Sequence, residues 1–397
     1  MLVMVRIPRA GATDVADTKP EVTPEEPDNF PDSQQESEDD LPKVSFKDAV
    51  VTNTDWTIES INLQMNKGTI DLQPSFQRRG AWDETRKSRL IESIIVGMPV
   101  PNIALAERKD HRGRFIVIDG KQRLLAIQEF MKDGYKLRGL DLREDLNGKS
   151  FGSLEGSDRE SFENSTLRAT LIKNWKDENF LWAAFYRLNV GSLPLSPQEL
   201  RKALIGGKLI DAIEEYLQNS KPFQDIFGVG LDKRMRDSEL VLRFLAFDRN
   251  ITAYKGDFKD FLDQTTRYYE QDWNTRAAEI HAGFARLDLA LTTTKTIFGE
   301  FAFRKWLGNR YERVTNRAVF DCIVRFFAET EVAGLAVKND GAVLGSFQGL
   351  CGDPKFRAYI EGSTKTLDAT YTRLSMWGDG LAKIIGKKLD LATLRIS

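Results

Sequence analysis

The chain reads as an α+β protein, with strands and helices mixed through its first half and helix alone after Gly206. Two observations predict this. Phe115–Ile118 is an unbroken run of aromatic and β-branched residues bounded by Arg114 and by Asp119-Gly120, which marks a buried strand. Leu124, Leu125, Ile127, Gln128 and Phe130 then fall at helical spacing, and beyond Gly206 apolar residues recur at i, i+3 and i+4 in every long segment.

Composition bounds the possibilities. At 397 residues the chain has room for two domains. No apolar run approaches the roughly 20 residues that a bilayer span needs, so no membrane is expected among its partners. The opening MLVMVRIPRAG has an apolar patch but lacks a signal-peptide core. Cys322 and Cys351 cannot build a disulfide framework and fit a reducing cytoplasm, the expected location. Only His111 and His281 are present, which excludes zinc-hydrolase helices and structural zinc clusters that depend on several histidines. The net charge of −2 hides an asymmetry: residues 1–42 hold eleven acidic side chains against three basic ones, leaving +6 on the rest. That mildly basic body suits a polyphosphate or nucleic-acid partner.

Three segments are expected. Residues 1–43 form an acidic, Pro- and Ser-rich leader with little to bury, read as disordered; residues 44–205 form the mixed domain, with order beginning near Val44; residues 206–397 form the helical domain. Within 44–205, Trp56–Met65 reads as a short strand followed by a helix, and Ile70–Leu72 as an edge strand. Asp83 is a natural N-cap for a helix over 83–96 whose apolar face is Leu90, Ile91, Ile94 and Ile95. Pro99 and Pro101 lead into a strand over Ile103–Ala106. Ser165–Ile172 reads as a returning strand, Asp177–Leu188 as a helix, and Ser196-Pro197 as the cap and first turn of the next. The stretch between Leu137 and the returning strand gives no clear pattern.

The strand that bends at Asp119-Gly120 into a helix is the candidate site. The first helical amides, at Lys121, Gln122 and Arg123, lack intrahelical acceptors, and Gly120 lets a ligand approach closely. Lys121 and Arg123 add full charge to the helix end, so the corner suits an anion. The competing reading makes Asp119 an N-cap carboxylate and the next three residues a solvated first turn. In the helical half, Arg234, Arg236, Arg243, Arg304, Lys305, Arg310, Arg313 and Arg317 recur beside aromatic residues. They read as the polar face of a bundle in preference to a nucleic-acid surface.

Pro74, Phe76-Gln77-Arg78, Trp82, Lys87-Ser88, Leu90–Ile94, Pro99, Pro101 and Ile118–Leu124 resemble the amino-terminal domain of the GmrSD type IV restriction endonucleases. A second block, Phe185–Asn189, Pro194–Ser196, Gln198–Arg201 and Ala203-Leu204, continues the likeness, which covers about residues 56–205. The resemblance implies a ParB/sulfiredoxin-like fold with a small mixed sheet. Lys121 stands where members of that family usually carry glutamine. The family's enzymes continue into an HNH-type nuclease domain, and two histidines with no His-Asn-His grouping imply that it is missing here.

What the resemblance implies for chemistry is a Mg²⁺-dependent nucleoside triphosphate hydrolase that regulates a bacterial anti-phage or modified-DNA restriction system. The nucleotide is GTP, CTP, UTP or ATP. Asp119 would hold Mg²⁺ or polarise water, Gln122 would position the nucleophile and Arg123 would neutralise phosphate charge. Gln77, Arg78, Gly120 and Lys121 would bind the nucleotide, with Arg187 and Asn189 on the pocket wall. No GxxxxGK[ST] segment exists, so a P-loop enzyme is excluded. Two alternatives stay open: a ParB-like DNA-binding module switched by nucleotide without hydrolysis, and a metal-dependent ParB-like nuclease with Asp119 and Glu92 as ligands. Expected partners are DNA, a separate nuclease or modification-sensing subunit, and a second copy of the chain.

Overall fold

The computed structural model describes residues 49–72, 82–109, 111–176, 178–188, 196–232, 234–362 and 364–397. The leader, the start of order near Val44, and the site candidates Gln77, Arg78 and Asn189 lie outside the described residues.

The first half is built on a five-stranded mixed sheet. In chain order come β1 (Val50–Thr57), α1 (Ile58–Asn66), β2 (Ile70–Asp71), α2 (Glu84–Ile95), β3 (Ile103–Glu107), β4 (Phe115–Asp119), α3 (Lys121–Met131), α4 (Gly156–Asn164), β5 (Thr166–Lys173) and α5 (Glu178–Leu188). The strand order is β1-β5-β3-β4-β2, so Ile70-Asp71 is the edge strand that its sequence suggests. β2 runs parallel to β4, β3 antiparallel to β4 and parallel to β5, and β1 antiparallel to β5.

Alternation along the strands divides the core between two faces. Ile103, Leu105, Phe115, Val117, Leu167, Ala169 and Leu171 point to one face and pack with α1, α2, α3 and α4. Ala104, Ala106, Ile116, Ile118 and Ile172 point to the other, where Leu181, Trp182 and Leu200 cover them. Helices therefore occupy both faces, and the central strands are apolar on both, as the run Phe115–Ile118 requires.

Helix ends follow the capping residues. Thr57 accepts from the Ser60 amide at 3.2 Å and Asp83 from the Arg86 amide at 2.7 Å. The stretch after Leu137 that resists sequence reading holds two short 3₁₀ turns and α4. It is organised from outside itself: the Glu92 carboxylate accepts the amides of Leu142 and Arg143, each at 2.7 Å. This corrects the expectation of Glu92 as a metal ligand, because its buried carboxylate is taken up in holding the backbone of the loop at Leu142 and Arg143.

The rest is helical: α6 (Pro197–Leu204), α7 (Lys208–Asn219), α8 (Lys221–Phe227), α9 (Arg236–Asn250), α10 (Phe258–Gln271), α11 (Trp273–Phe298), α12 (Arg317–Phe327), α13 (Thr330–Lys338), α14 (Asp340–Cys351), α15 (Pro354–Glu361) and α16 (Leu367–Ile385), with a short closing pair, Leu389-Asp390 and Arg395-Ile396. A single apolar cluster runs through this region. None of the described helices is long and apolar enough to cross a membrane. The basic residues singled out in this half divide: Arg310 and Arg313 are exposed, whereas others are drawn into ion pairs. Arg243 pairs with Asp321 at 2.5 Å and Glu239 at 3.5 Å, Arg317 reaches Glu239 at 3.5 Å, and all four are buried. Arg236 pairs with Asp232 at 2.9 Å and Lys305 with Glu361 at 2.7 Å.

α6 joins the two regions. Ser196 caps it by accepting the Glu199 amide at 3.1 Å, and Glu199 accepts the Ser196 amide at 2.6 Å, a reciprocal capping box with Pro197 in the first turn. Its buried Arg201 pairs with Asp263 of α10 at 2.7 Å, and Lys259 holds the other oxygen of Asp263 at 2.8 Å. Trp182 of α5 lies 4.5 Å from the Lys259 ammonium.

Candidate functional site

The corner between β4 and α3 has the geometry that its sequence calls for. Gly120 is the N-cap of α3 with φ 90°, a left-handed conformation, and no side chain caps the helix. A Cβ at Gly120 would stand 2.5 Å from Cγ2 of Ile103 and 3.1 Å from Nη2 of Arg123, so only glycine fits. Asp119 is not the N-cap. Its Oδ2 accepts from Nη2 of Arg123 at 2.7 Å, and the same nitrogen donates to the Asn102 carbonyl at 2.9 Å. Arg123 is buried, and its Nε has no hydrogen-bond partner. The reading of a capped and solvated first turn is thereby corrected: the carboxylate and guanidinium form a nearly dry pair at the carboxyl end of β4.

Gln122 is half-buried and its Oε1 accepts the Trp82 amide at 3.2 Å, tying the start of α2 to the start of α3. Lys121 is half-buried too. Burial pushes its pKa down to about 8, with Lys202 acting in the same sense and with Glu199, Asp71 and Glu214 opposing. Burial pushes Glu199 upward, against the hydrogen bond from Ser196 and the charges of Lys121 and Arg234. Lys202 pairs with Glu214 at 2.8 Å, and Asp71 with Arg108 at 3.0 Å.

The structure thus brings Asp119, Gly120, Lys121, Gln122 and Arg123 to one corner. Arg187 lies in the last turn of α5 and is exposed. Sequence reasoning missed the charged surroundings of Lys121, supplied by Asp71 from β2, Glu199 and Lys202 from α6, and Glu214 from α7. The Gln198–Arg201 run stands out in sequence, but nothing in spacing says that α6 returns to the start of α3. The remaining residues of the first block hold the fold: Lys87 pairs with Glu129 at 2.6 Å, and Ser88 accepts the Arg138 amide at 3.1 Å.

No group of three or more potential metal ligands occurs among the described residues. A metal at Asp119 would have one carboxylate from the chain, an arrangement that suits Mg²⁺, which keeps its waters and takes further oxygens from a phosphate ligand.

The mixed five-stranded sheet with helices on both faces defines a small α+β domain, with Asp119, Lys121 and Arg123 gathered where β4 turns into α3. Residues 58–206 match the family model described as the GmrSD restriction endonuclease, N-terminal domain. Over that span the chain is similar to that domain, a likeness that suggests a component of a restriction system. No curated protein and no solved structure gives a significant match to the chain.

Proposed function

We propose that the chain is a nucleotide-binding and nucleoside triphosphate-hydrolysing component of a bacterial restriction system directed at phage or modified DNA. The observation that supports this best is the start of α3: a helix end with no side-chain cap, placed at a glycine, beside Lys121 and the Asp119–Arg123 pair. Helix amides and the partial positive charge of the helix end favour a phosphate there, and Lys121 adds a full charge. Gly120 keeps the approach clear of a side chain.

Arg123 is preset by two acceptors, Asn102 and Asp119, so its guanidinium needs little reorganisation as phosphate charge develops. Asp119 would hold Mg²⁺, which when bound would neutralise phosphate charge. Gln122 is held through Trp82 in the same helical turn, and there it would orient water. Lys121, drawn by Glu199 on one side, would turn to the phosphate on the other. The nuclease alternative loses support because Glu92 is committed to the amides of Leu142 and Arg143.

The test is phosphate release from GTP, CTP, UTP and ATP with Mg²⁺, together with calorimetric binding. Asp119→Ala and Arg123→Ala are each expected to reduce turnover by at least about 100-fold, in the range for loss of a charged catalytic group. Wild-type turnover in both folded variants, or no binding heat with any triphosphate, rejects the reading.

A further inference from the structure

The carboxyl-terminal end of α9 gathers more positive charge than its carboxylates balance. Arg325 of α12 donates to the Phe247 carbonyl at 3.3 Å, Arg395 to the Asp248 carbonyl at 3.5 Å, and Arg286 of α11 pairs with the Asp248 carboxylate at 2.5 Å. Some of this is ordinary, because the last carbonyls of a helix attract cations. Two more arginines exceed that need. Arg249 of α9 and Arg276 of α11 each hold a guanidinium carbon 3.6 Å from the ring centroid of Tyr268. At that distance the two planes occupy opposite faces of the ring, since on one face they would overlap.

Two of the cluster's arginines have carboxylate partners, Arg286 in Asp248 and Arg395 in Glu329. Asp272 accepts the Thr275 hydroxyl at 2.9 Å and Glu279 the Tyr269 hydroxyl at 2.9 Å, and neither carboxylate pairs with Arg249 or Arg276. The crowding shows in Arg325, whose pKa falls to about 10 through burial and then through the charge of Arg395. Part of the cluster meets solvent: the side chains of Arg286 and Arg395 are 38% and 48% exposed, and Arg249, Tyr268 and Arg276 are half-buried.

We propose that Arg249 and Arg276 on Tyr268, with Arg286 and Arg395 beside Asp248, form a binding site for the phosphate backbone of a nucleic acid, gripped without regard to base sequence. Guanidiniums are the cations best matched to phosphate oxygens, and like charges held on one ring are relieved by a polyanion. Both faces of Tyr268 are taken, so no base can stack on it, and the contact is to backbone alone. The choice of nucleic acid among polyanions rests on the restriction-system reading. The cluster itself lies wholly within the helical region, apart from the corner at Asp119.

The experiment is fluorescence anisotropy of the full chain with a labelled duplex of about 20 base pairs, without nucleotide or magnesium, over about 50–200 mM salt. Its result is independent of whether the Asp119 corner binds a triphosphate. Arg249→Gln with Arg276→Gln is expected to weaken binding at least about tenfold and to make the salt slope shallower by about two. Arg276 also secures the Tyr268 carbonyl, so Arg395→Gln serves as a second variant at an exposed position. It is expected to cost a few-fold and about one unit of slope. Unchanged affinity and slope in both variants overturn the proposal, as does wild-type binding that ignores salt. Binding of a peptide of residues 11–42 in place of the duplex assigns the cluster to the acidic leader and overturns it as well.

Discussion

Gly120 and Lys121 show how much single residues decide at the corner. Gly120 combines φ 90° with a Cβ position 2.5 Å from Ile103, so Gly120→Ala meets backbone strain and a clash together. A loss of about 1–3 kcal/mol in urea unfolding is expected. Lys121 sets a pH dependence of two kinds. Its pKa lies near 8 in the folded chain, against 10.5 for the free side chain. Below pH 8 the folded chain carries the full cost of its partly desolvated charge. Between about 8 and 10.5 the unfolded chain binds more protons than the folded one, so this residue's contribution to stability rises with pH. Triphosphate affinity should move the other way and fall as pH passes 8, because the phosphate loses its cation. Lys121→Arg, always charged, should flatten that fall in a titration between pH 7 and 9.

At the scale of elements, α2 and α6 each do work that their own patterns conceal. α2 has the expected apolar face, but Glu92 reaches out to close the loop at Leu142 and Arg143. Glu92→Ala leaves two amides unmet and is expected to cost about 1–3 kcal/mol in chemical unfolding, with phosphate release per folded molecule unchanged. A loss of turnover beyond the loss of folded protein would return Glu92 to the site. α6 carries a recognisable start in Ser196-Pro197 and a recognisable capping box. Its two sides serve different neighbours: Glu199 acts on Lys121, and Arg201 locks to Asp263.

In the whole molecule, the sheet-bearing half and the helical half meet at a buried ionic junction. Asp263 receives Arg201 from α6 and Lys259 from its own helix, and Trp182 lies against the ammonium. Removing the carboxylate leaves two buried cations without their partner, so Asp263→Ala is expected to cost about 3–5 kcal/mol. Hydrogen exchange should accelerate in α6 and α10 together; faster exchange in α10 alone would show that the junction does not couple the halves.

The sequence by itself determined the strands β3, β4 and β5, the helices α1–α3, α5–α7 and α9–α12, the glycine turn and the corner residues Asp119–Arg123. Each of these is written in local periodicity, a cap or a turn residue, and local physics fixes them before the chain is folded. Only the tertiary structure decided that Asp119 faces Arg123 in place of the helix amides. It alone placed Glu199, Asp71 and Glu214 around Lys121, turned Arg243 and Arg317 inward as buried pairs, and stacked Arg249 and Arg276 on Tyr268. Those outcomes depend on which distant elements pack together and on how burial changes the balance between desolvation and pairing, and neither quantity has a period along the chain.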